Sequence, residues 1–151
     1  PDVIVAGSPW PDEAINANET FVVGEDIASY SPLRKRDGSK DILHASISCK
    51  WTLRSDRAQN ARTEALNLIR NRKGHTPHIV VVVGEPLPSR IASVALGAGD
   101  IDCVYHVALP ELEAAVRAVP QIENEQLETL DLMLQGRRLR DISDLILDLV
   151  L

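Results

Sequence analysis

Cysteine, long apolar runs and excess positive charge are all scarce in this chain of 151 residues. The two cysteines, Cys49 and Cys103, are too few for a disulfide scaffold and lack the spacing of zinc ligands. We therefore expect free thiols and a cytoplasmic location. The longest apolar runs, residues 79–83 and 145–151, fall far short of the roughly 20 residues that cross a bilayer. The sequence thus predicts no membrane span.

Charge balance excludes general attraction to nucleic acid. Lysine and arginine number 16 against 22 aspartates and glutamates, which gives a net charge of −6 at pH 7. No overall positive field therefore draws the chain to nucleic acid, and any affinity for DNA has to be local.

The remaining composition is that of one globular domain that folds in water. Hydrophobic residues make up 44% and charged residues 25% of the chain, and its length is that of one domain. We find no internal repeat, low-complexity segment or signal-peptide pattern. The chain lacks an initiator methionine, and Pro1-Asp2 runs straight into an apolar stretch. We therefore interpret residues 1–151 as a single domain, a fragment whose natural N-terminal part is missing.

Hydrophobic periodicity predicts an α/β fold in which helices cover parallel strands. Residues 43–52 alternate between apolar and polar, with Cys49 on the apolar face and Lys50 on the polar face at the end of a half-buried strand. Residues 55–72 have the spacing of a helix, which Gly74 closes. The other predicted elements are strands at residues 2–6, 78–83 and 102–107, helices at residues 89–97 and 110–119, and a helical tail at residues 122–151 broken near Gly136.

Three charged side chains fall where this fold can bring them to one edge of the sheet. Asp2 begins the first strand, Lys50 ends the second, and Glu64 lies on the helix that follows. Two carboxylates with a backbone carbonyl suit Mg²⁺, which completes its ligands with waters and a phosphate. A lysine beside that ion can position or deprotonate an attacking water and offset charge in the transition state. The combination predicts nuclease chemistry.

Each of these residues also has an ordinary interpretation. Taken alone, Asp2 is a turn acid, Lys50 a solvated charge at a strand end, and Glu64 a solvated helix former. Only their joint placement favours a catalytic site.

Two arginines stand where the helix after Lys50 begins. Arg54 and Arg57 stand on either side of Asp56. Positive charges at the N-terminus of a helix oppose the helix dipole, so the two arginines are not explained by helix stability. The guanidinium group of an arginine can donate two hydrogen bonds to O6 and N7 of a guanine, and an aspartate can accept a hydrogen bond from the N4 amino group of a cytosine. These side chains are therefore suited to read adjacent G·C pairs, and an ion-pair cluster that caps the helix is the alternative.

The run SCKWTLRSDR at residues 48–57, with Pro1-Asp2 upstream and Glu64 downstream, resembles the NgoMIV-type restriction endonucleases. These enzymes belong to a wider group that reads a CCGG core in DNA. The likeness continues into residues 85–90 and corresponds to the later part of such an enzyme. The resemblance implies a PD-(D/E)XK nuclease fold, which is a mixed central sheet flanked by helices. It implies the permuted form of this fold, in which the second acidic residue lies on the helix after the lysine.

The resemblance also assigns roles to residues of the site. It implies that Asp2 and Glu64 hold Mg²⁺ and that the carbonyl of Cys49 adds a ligand. Lys50 is then the catalytic lysine, and Ser48 is the residue that the permuted variant carries at this position.

Further DNA contacts are suggested outside this run. In the resembling family an arginine in the region of Arg90 reads the outer guanine, and a surface arginine is the alternative. Lys35 and Arg36 are candidates for contacts to the DNA backbone, although a solvated hairpin tip beside Asp37-Gly38 is the slightly favoured interpretation.

The function implied by the resemblance is that of a type II restriction endonuclease. Such an enzyme hydrolyses double-stranded DNA at a palindrome with a CCGG core, here GCCGGC, and leaves 5′-phosphate and 3′-hydroxyl ends. The family implies a tetramer of two back-to-back dimers. Two apolar stripes in the tail can serve as contacts between copies or simply cover the sheet. We expect the covering role for Ile142, Leu145, Ile146 and Leu149, and both roles stay open for Leu127, Leu130 and Leu134.

Two other functions stay open at this point. One is a non-catalytic DNA-binding remnant of the same fold. The other is a flavodoxin-like small-molecule enzyme, because the strand at residues 78–83 precedes Gly84 and a helix. Only that one glycine follows the strand, however, and a glycine-rich phosphate-binding fingerprint is lacking.

Overall fold

The computed structural model describes residues 1–18, 22–72, 74–97, 99–119 and 124–150. Two compact units make up the chain. The larger, called the sheet unit here, contains Pro1–Ile4 and Ala45–Leu151, and the smaller, called the small unit, contains Val5–His44. The first two residues of the predicted helical tail, 122 and 123, lie outside the described residues.

A sheet of five strands, in the order β1-β2-β3-β4-β5, organises the described residues. The pairs β2·β3, β3·β4 and β4·β5 are parallel. The strands are β1 (Val3–Gly7), β2 (Ile42–Lys50), β3 (His78–Val83), β4 (Cys103–His106) and β5 (Leu139–Asp141). The helices are α1 (Asp12–Ile15), α2 (Ser55–Asn71), α3 (Pro88–Ala95), α4 (Leu109–Ala118), α5 (Asn124–Gln135) and α6 (Leu145–Asp148), with a 3₁₀ turn at Ile142–Asp144.

The main core lies between one face of this sheet and helices α2 to α5. Helix α2 contributes three alanines, Ala58, Ala61 and Ala65, whose small side chains let the helix approach the strands closely. Strand β3 is a nearly continuous valine run, the pattern typical of a central strand in a parallel sheet. Its register places Lys50 opposite Val83, so β2 and β3 end together at one edge of the sheet.

The opposite face of the sheet is covered unevenly. Tyr105 is buried there, whereas Val82 is half-buried and Cys49 is exposed. The Tyr105 hydroxyl donates to Asp148 over 2.6 Å, and Arg140 pairs with the same carboxylate. This network of polar contacts holds helix α6 against strand β4.

The predicted mixed α/β architecture of a central sheet flanked by helices is confirmed, and most predicted elements agree with observed ones to within two residues. The helical tail is the main error, because residues 139–141 form β5 as the parallel partner of β4. A three-residue strand is too short to show a period of two, and the apolar residues around it follow helical spacing.

Two predictions about strand β2 are also wrong. The strand is not half-buried, because Ser46 and Ser48 on its polar face lie under α2 and are buried. The thiol of Cys49 is not packed but exposed, because the opposite face of the sheet is open at that position.

Arginine 34 organises the small unit. Its guanidinium is buried, pairs with both carboxylate oxygens of Asp12 and donates to the carbonyls of Gly24 and Ile27 over 2.8 Å. This cation is therefore a structural residue of the loop region. Within the described residues, no helix is both long and apolar enough to cross a membrane.

Candidate active site

Strands β1 and β2 bring Asp2 next to Lys50. The backbone N–H of Asp2 donates to the carbonyl of Ile47 over 3.0 Å, which fixes where β1 begins. Asp2 Oδ2 then accepts from the Cys49 N–H over 2.7 Å and from Lys50 Nζ over 3.0 Å. The first acid and the lysine predicted from the sequence are thus in direct contact.

These contacts favour the ionised form of Asp2. The Cys49 N–H, the hydrogen bond from Lys50 and the positive charge of that lysine hold the pKa of Asp2 below its ordinary value. A carboxylate that stays charged is the form that binds a cation.

Glu64 reaches the same strand from helix α2. Its Oε2 accepts from the Ser48 hydroxyl over 2.9 Å. Burial raises the pKa of Glu64, whereas the hydrogen bond from Ser48 and the charge of Lys50 lower it. This hydrogen bond also explains how Ser48 can be buried without an unsatisfied hydroxyl.

The two carboxylates therefore flank one short segment, residues 48–50, at the edge where β2 and β3 end. Their oxygens are hard ligands of the type that Mg²⁺ prefers, and two protein carboxylates are a usual number for that ion. Within the described residues, no group of three or more histidine, cysteine or acidic side chains could hold a metal. Two carboxylates beside one strand end fit an ion that takes its remaining ligands from water and phosphate.

A cleft of about 650 Å³ opens between the start of α2 and helix α3. Arg54, Arg62 and Arg90 line it together with serines of both helices. Arg54 precedes the first residue of α2, and Arg90 lies in the first turn of α3. The fold thus brings Arg54 and Arg90, two predicted base-reading residues, to the same cleft.

The other two predicted base-reading residues lie at the N-terminus of α2. Arg57 donates to the Thr52 hydroxyl over 3.1 Å, and Asp56 is exposed. In the described part of the chain, neither Arg54 nor Arg57 forms an ion pair with Asp56. The ion-pair cluster considered from the sequence therefore does not form.

Lys35 and Arg36 belong to the small unit. Both are exposed beside a turn at Asp37-Gly38, in which the N–H of Ser39 donates to the carbonyl of Arg36 over 3.0 Å. The predicted turn is therefore present, and both cations face solvent.

Sequence reasoning missed Glu85, which follows strand β3 and Gly84. Its side chain is inaccessible to solvent, and its carboxylate accepts from the Leu53 N–H over 2.8 Å and from the Leu87 N–H over 3.2 Å. Arg90 Nη1 lies 3.6 Å from the same carboxylate. The only sequence signal was an acid at the end of a buried strand, close before an arginine.

Comparison with known proteins connects this geometry to an enzyme family. Residues 1–151 match the family described as NgoMIV restriction enzyme. The chain belongs to the NgoMIV restriction enzyme family. It is 58% identical over 149 residues to the type II restriction enzyme NgoMIV of Neisseria gonorrhoeae, which covers 99% of this chain and 51% of that enzyme. The chain therefore spans about half the length of this relative.

Membership of the NgoMIV family confirms the resemblance that the run at residues 48–57 suggested. It also leaves the flavodoxin-like interpretation without support. The NgoMIV family is consistent with a restriction-endonuclease-like fold, in which a central sheet carries the candidate active site at its edge.

Proposed function

We propose that this chain supplies the catalytic and base-reading part of a Mg²⁺-dependent type II restriction endonuclease. Its substrate is double-stranded DNA with a CCGG core, in the palindrome GCCGGC. The observation that carries the proposal is the convergence of Asp2, Lys50 and Glu64 on residues 48–50 in a chain of the NgoMIV family.

The metal ligands in this proposal are the carboxylates of Asp2 and Glu64 and the carbonyl of Cys49. When bound, Mg²⁺ stabilises negative charge on the phosphate that is attacked. The Cys49 N–H and the Ser48 hydroxyl hold the two carboxylates in their charged form and orient them. Ser48 therefore contributes by positioning Glu64.

Lys50 acts on the water that attacks phosphorus. Its ammonium lies 3.0 Å from Asp2 Oδ2, and its side chain as a whole is 18% exposed. In this position the ammonium can orient the water and offset charge that develops on the phosphate. The water oxygen bonds to phosphorus, and the bond from phosphorus to the 3′ oxygen breaks. A proton goes to the departing oxygen, so the products are a 5′-phosphate and a 3′-hydroxyl.

Base reading in this proposal belongs to Arg54, Asp56, Arg57 and Arg90. The first three lie at one helix N-terminus and read the CCGG core, with guanidinium groups on guanines and the carboxylate on a cytosine amino group. Arg90 reads the outer guanine from helix α3. Lys35 and Arg36 contact the DNA backbone without selecting a sequence.

We also propose that the full-length protein is a tetramer, a dimer of dimers. A palindrome presents two symmetry-related scissile phosphates, so a two-fold dimer is needed to cut both strands. Of the two apolar stripes, Leu130 is buried in the main core, and Leu127 and Leu134 are partly buried against it. Ile146 of the other stripe is 74% exposed, so it does not cover the sheet as expected.

Light scattering on the full-length protein tests the assembly. We expect the mass of a tetramer and faster cleavage of plasmids with two sites than of plasmids with one. A monomer that cuts both substrates at the same rate contradicts the tetramer.

A cleavage assay tests the proposed reaction. The full-length protein should cut a GCCGGC duplex with Mg²⁺, should not cut it after chelation of the ion, and should spare a duplex with an altered CCGG core. Labelled ends should show a 5′-phosphate. Specific binding without cleavage under all conditions instead identifies a non-catalytic DNA-binding protein of the same fold.

A further inference from the structure

One buried carboxylate connects the two segments that carry the proposed base-reading arginines. Glu85 stands at the edge of the sheet where β2 and β3 end, and its side chain is inaccessible to solvent. Neither the proposed hydrolysis nor the proposed base contacts use this carboxylate.

Its contacts reach both reading segments. Oε2 accepts from the N–H of Leu53, the residue before Arg54, over 2.8 Å. Oε1 accepts from the N–H of Leu87, which precedes helix α3, over 3.2 Å. The guanidinium of Arg90 lies 3.6 Å from Oε2, within ion-pair distance.

The strand side of Glu85 is fixed as well. Its carbonyl lies 3.1 Å from Nε2 of His106 at the end of β4, and His106 is itself buried. Glu85 is thus attached to the sheet, and its carboxylate fixes the positions of the two segments that it binds.

Burial of an ionised carboxylate is costly unless charge and hydrogen bonds compensate it. Here the compensation comes from two backbone N–H groups and Arg90. A cation in the first turn of a helix opposes the helix dipole, so Arg90 is unfavourable at its position in α3. Its ion pair with Glu85 explains how this arginine is accommodated there. A nearby negative charge offsets that repulsion and restricts where the Arg90 side chain can go.

We propose that Glu85 is a positioning residue for base reading, which holds Arg54 and Arg90 at a fixed spacing from one another. This inference rests on the proposed function, because it presumes that both arginines contact bases. Buried ion pairs add little net stability, and their best-supported use is to specify one arrangement. Loss of Glu85 should therefore affect discrimination between DNA sequences more than affinity for DNA in general.

The test uses Glu85→Gln in the full-length protein, which keeps the shape of the side chain and removes its charge. Dissociation constants are measured in metal-free buffer for GCCGGC, for ACCGGT with changed outer pairs, and for an unrelated duplex. We expect the preference of GCCGGC over ACCGGT to fall about tenfold, the scale of one bidentate base contact. Affinity for the unrelated duplex should change less than twofold.

Asp100→Asn is the matched control. Asp100 is also a buried carboxylate, and it pairs over 3.3 Å with Arg62, which lines the same cleft. This variant should lower stability as Glu85→Gln does, because each removes a buried charge from an ion pair. It should leave the preference for GCCGGC at the wild-type value.

A double-mutant cycle distinguishes positioning from general loosening of the fold. In an Arg90→Ala background, Glu85→Gln should cause no further loss at the outer base pair, because its effect there acts through Arg90. Additive losses contradict this. If Glu85→Gln does not fold, Glu85→Asp keeps the charge and shortens the side chain, and the same loss of outer-pair preference is expected.

Each remaining result has one meaning. Wild-type protein that binds all three duplexes equally overturns the proposed function, and the positioning role with it. Wild-type protein that prefers GCCGGC, with a Glu85 variant that keeps this preference or weakens all duplexes equally, overturns only the positioning role.

Discussion

At the residue scale, each side chain of the candidate site is held by a specific donor. The Cys49 N–H and Lys50 Nζ hold Asp2, and the Ser48 hydroxyl holds Glu64. All of these donors come from residues 48–50. A single strand end therefore orients both carboxylates, and small changes in its backbone should affect both acids together.

The base-reading residues lead to a prediction with an internal control. Arg57→Ala should cost about 1 to 3 kcal/mol of discrimination at the CCGG core, because it removes one bidentate contact to a guanine. Lys35→Ala should weaken binding to every sequence by a similar factor and reduce the salt dependence, since a phosphate contact carries no sequence information. Fluorescence anisotropy with cognate and altered duplexes measures both effects.

If the Arg57 variant loses affinity for cognate and unrelated DNA equally, the result contradicts the proposed role of Arg57 in base reading. If the Lys35 variant loses affinity for the cognate duplex alone, the result contradicts the proposal that Lys35 contacts the DNA backbone.

Some residues of the site were predictable and others were not. Asp2 and Lys50 lie at strand ends and Glu64 lies on the helix that follows Lys50, and the order of these elements suggested that the three side chains meet. Glu85 was not predictable in the same way, because its role depends on a backbone N–H of Leu53 that only the folded chain brings near. Hydrogen bonds to the backbone leave no trace in residue spacing.

At the element scale, long elements were easier to predict than the three-residue strand β5. Helix α2, which has 17 residues, was predicted because apolar residues, among them the buried Ala58, Ala61 and Ala65, recur in it at helical spacing. Strand β5 was missed because it has three residues and its partner β4 lies far away in the sequence. Its identity as a strand is set by tertiary pairing and not by local pattern.

Helix α6 gives a stability prediction at this scale. Tyr105→Phe removes the hydrogen bond of a buried hydroxyl to Asp148 but keeps the ring in place. We expect the free energy of unfolding to fall by about 1.5 to 3 kcal/mol, the usual range for a hydrogen bond to a charged group. Urea denaturation followed by circular dichroism measures the change. An unchanged midpoint contradicts the proposed attachment of α6 to the sheet.

The same network makes a prediction about pH. The hydrogen bond from Tyr105 and the charge of Arg140 hold the pKa of Asp148 below its ordinary value of 3.8. A carboxylate whose pKa is lowered by folding stabilises the protein above its unfolded pKa, and this contribution is lost as the pH falls through the folded pKa. The stability difference between wild type and Tyr105→Phe should therefore be constant above about pH 5 and shrink below pH 4.

Denaturation curves at several pH values check this trend. A difference that grows toward low pH contradicts the assignment of the network, because the ionised form of Asp148 is the one that Tyr105 stabilises.

At the scale of the whole molecule, the proposed binding of DNA by a chain of net charge −6 requires a local surface. The cleft lined by Arg54, Arg62 and Arg90 is the proposed surface in the sheet unit. Its affinity should depend strongly on salt, because each phosphate contact releases counterions.

The most direct test of the central claim compares three variants of the full-length protein with the wild type. Asp2→Ala, Lys50→Ala and Glu64→Ala should each bind a GCCGGC duplex specifically. With Mg²⁺ present, each should cut it at less than about one-hundredth of the wild-type rate, the scale expected for loss of a group that stabilises charge in the transition state. Arg57→Ala should instead lose specific binding of the GCCGGC duplex. Cleavage by Lys50→Ala at the wild-type rate contradicts the assignment of the active site.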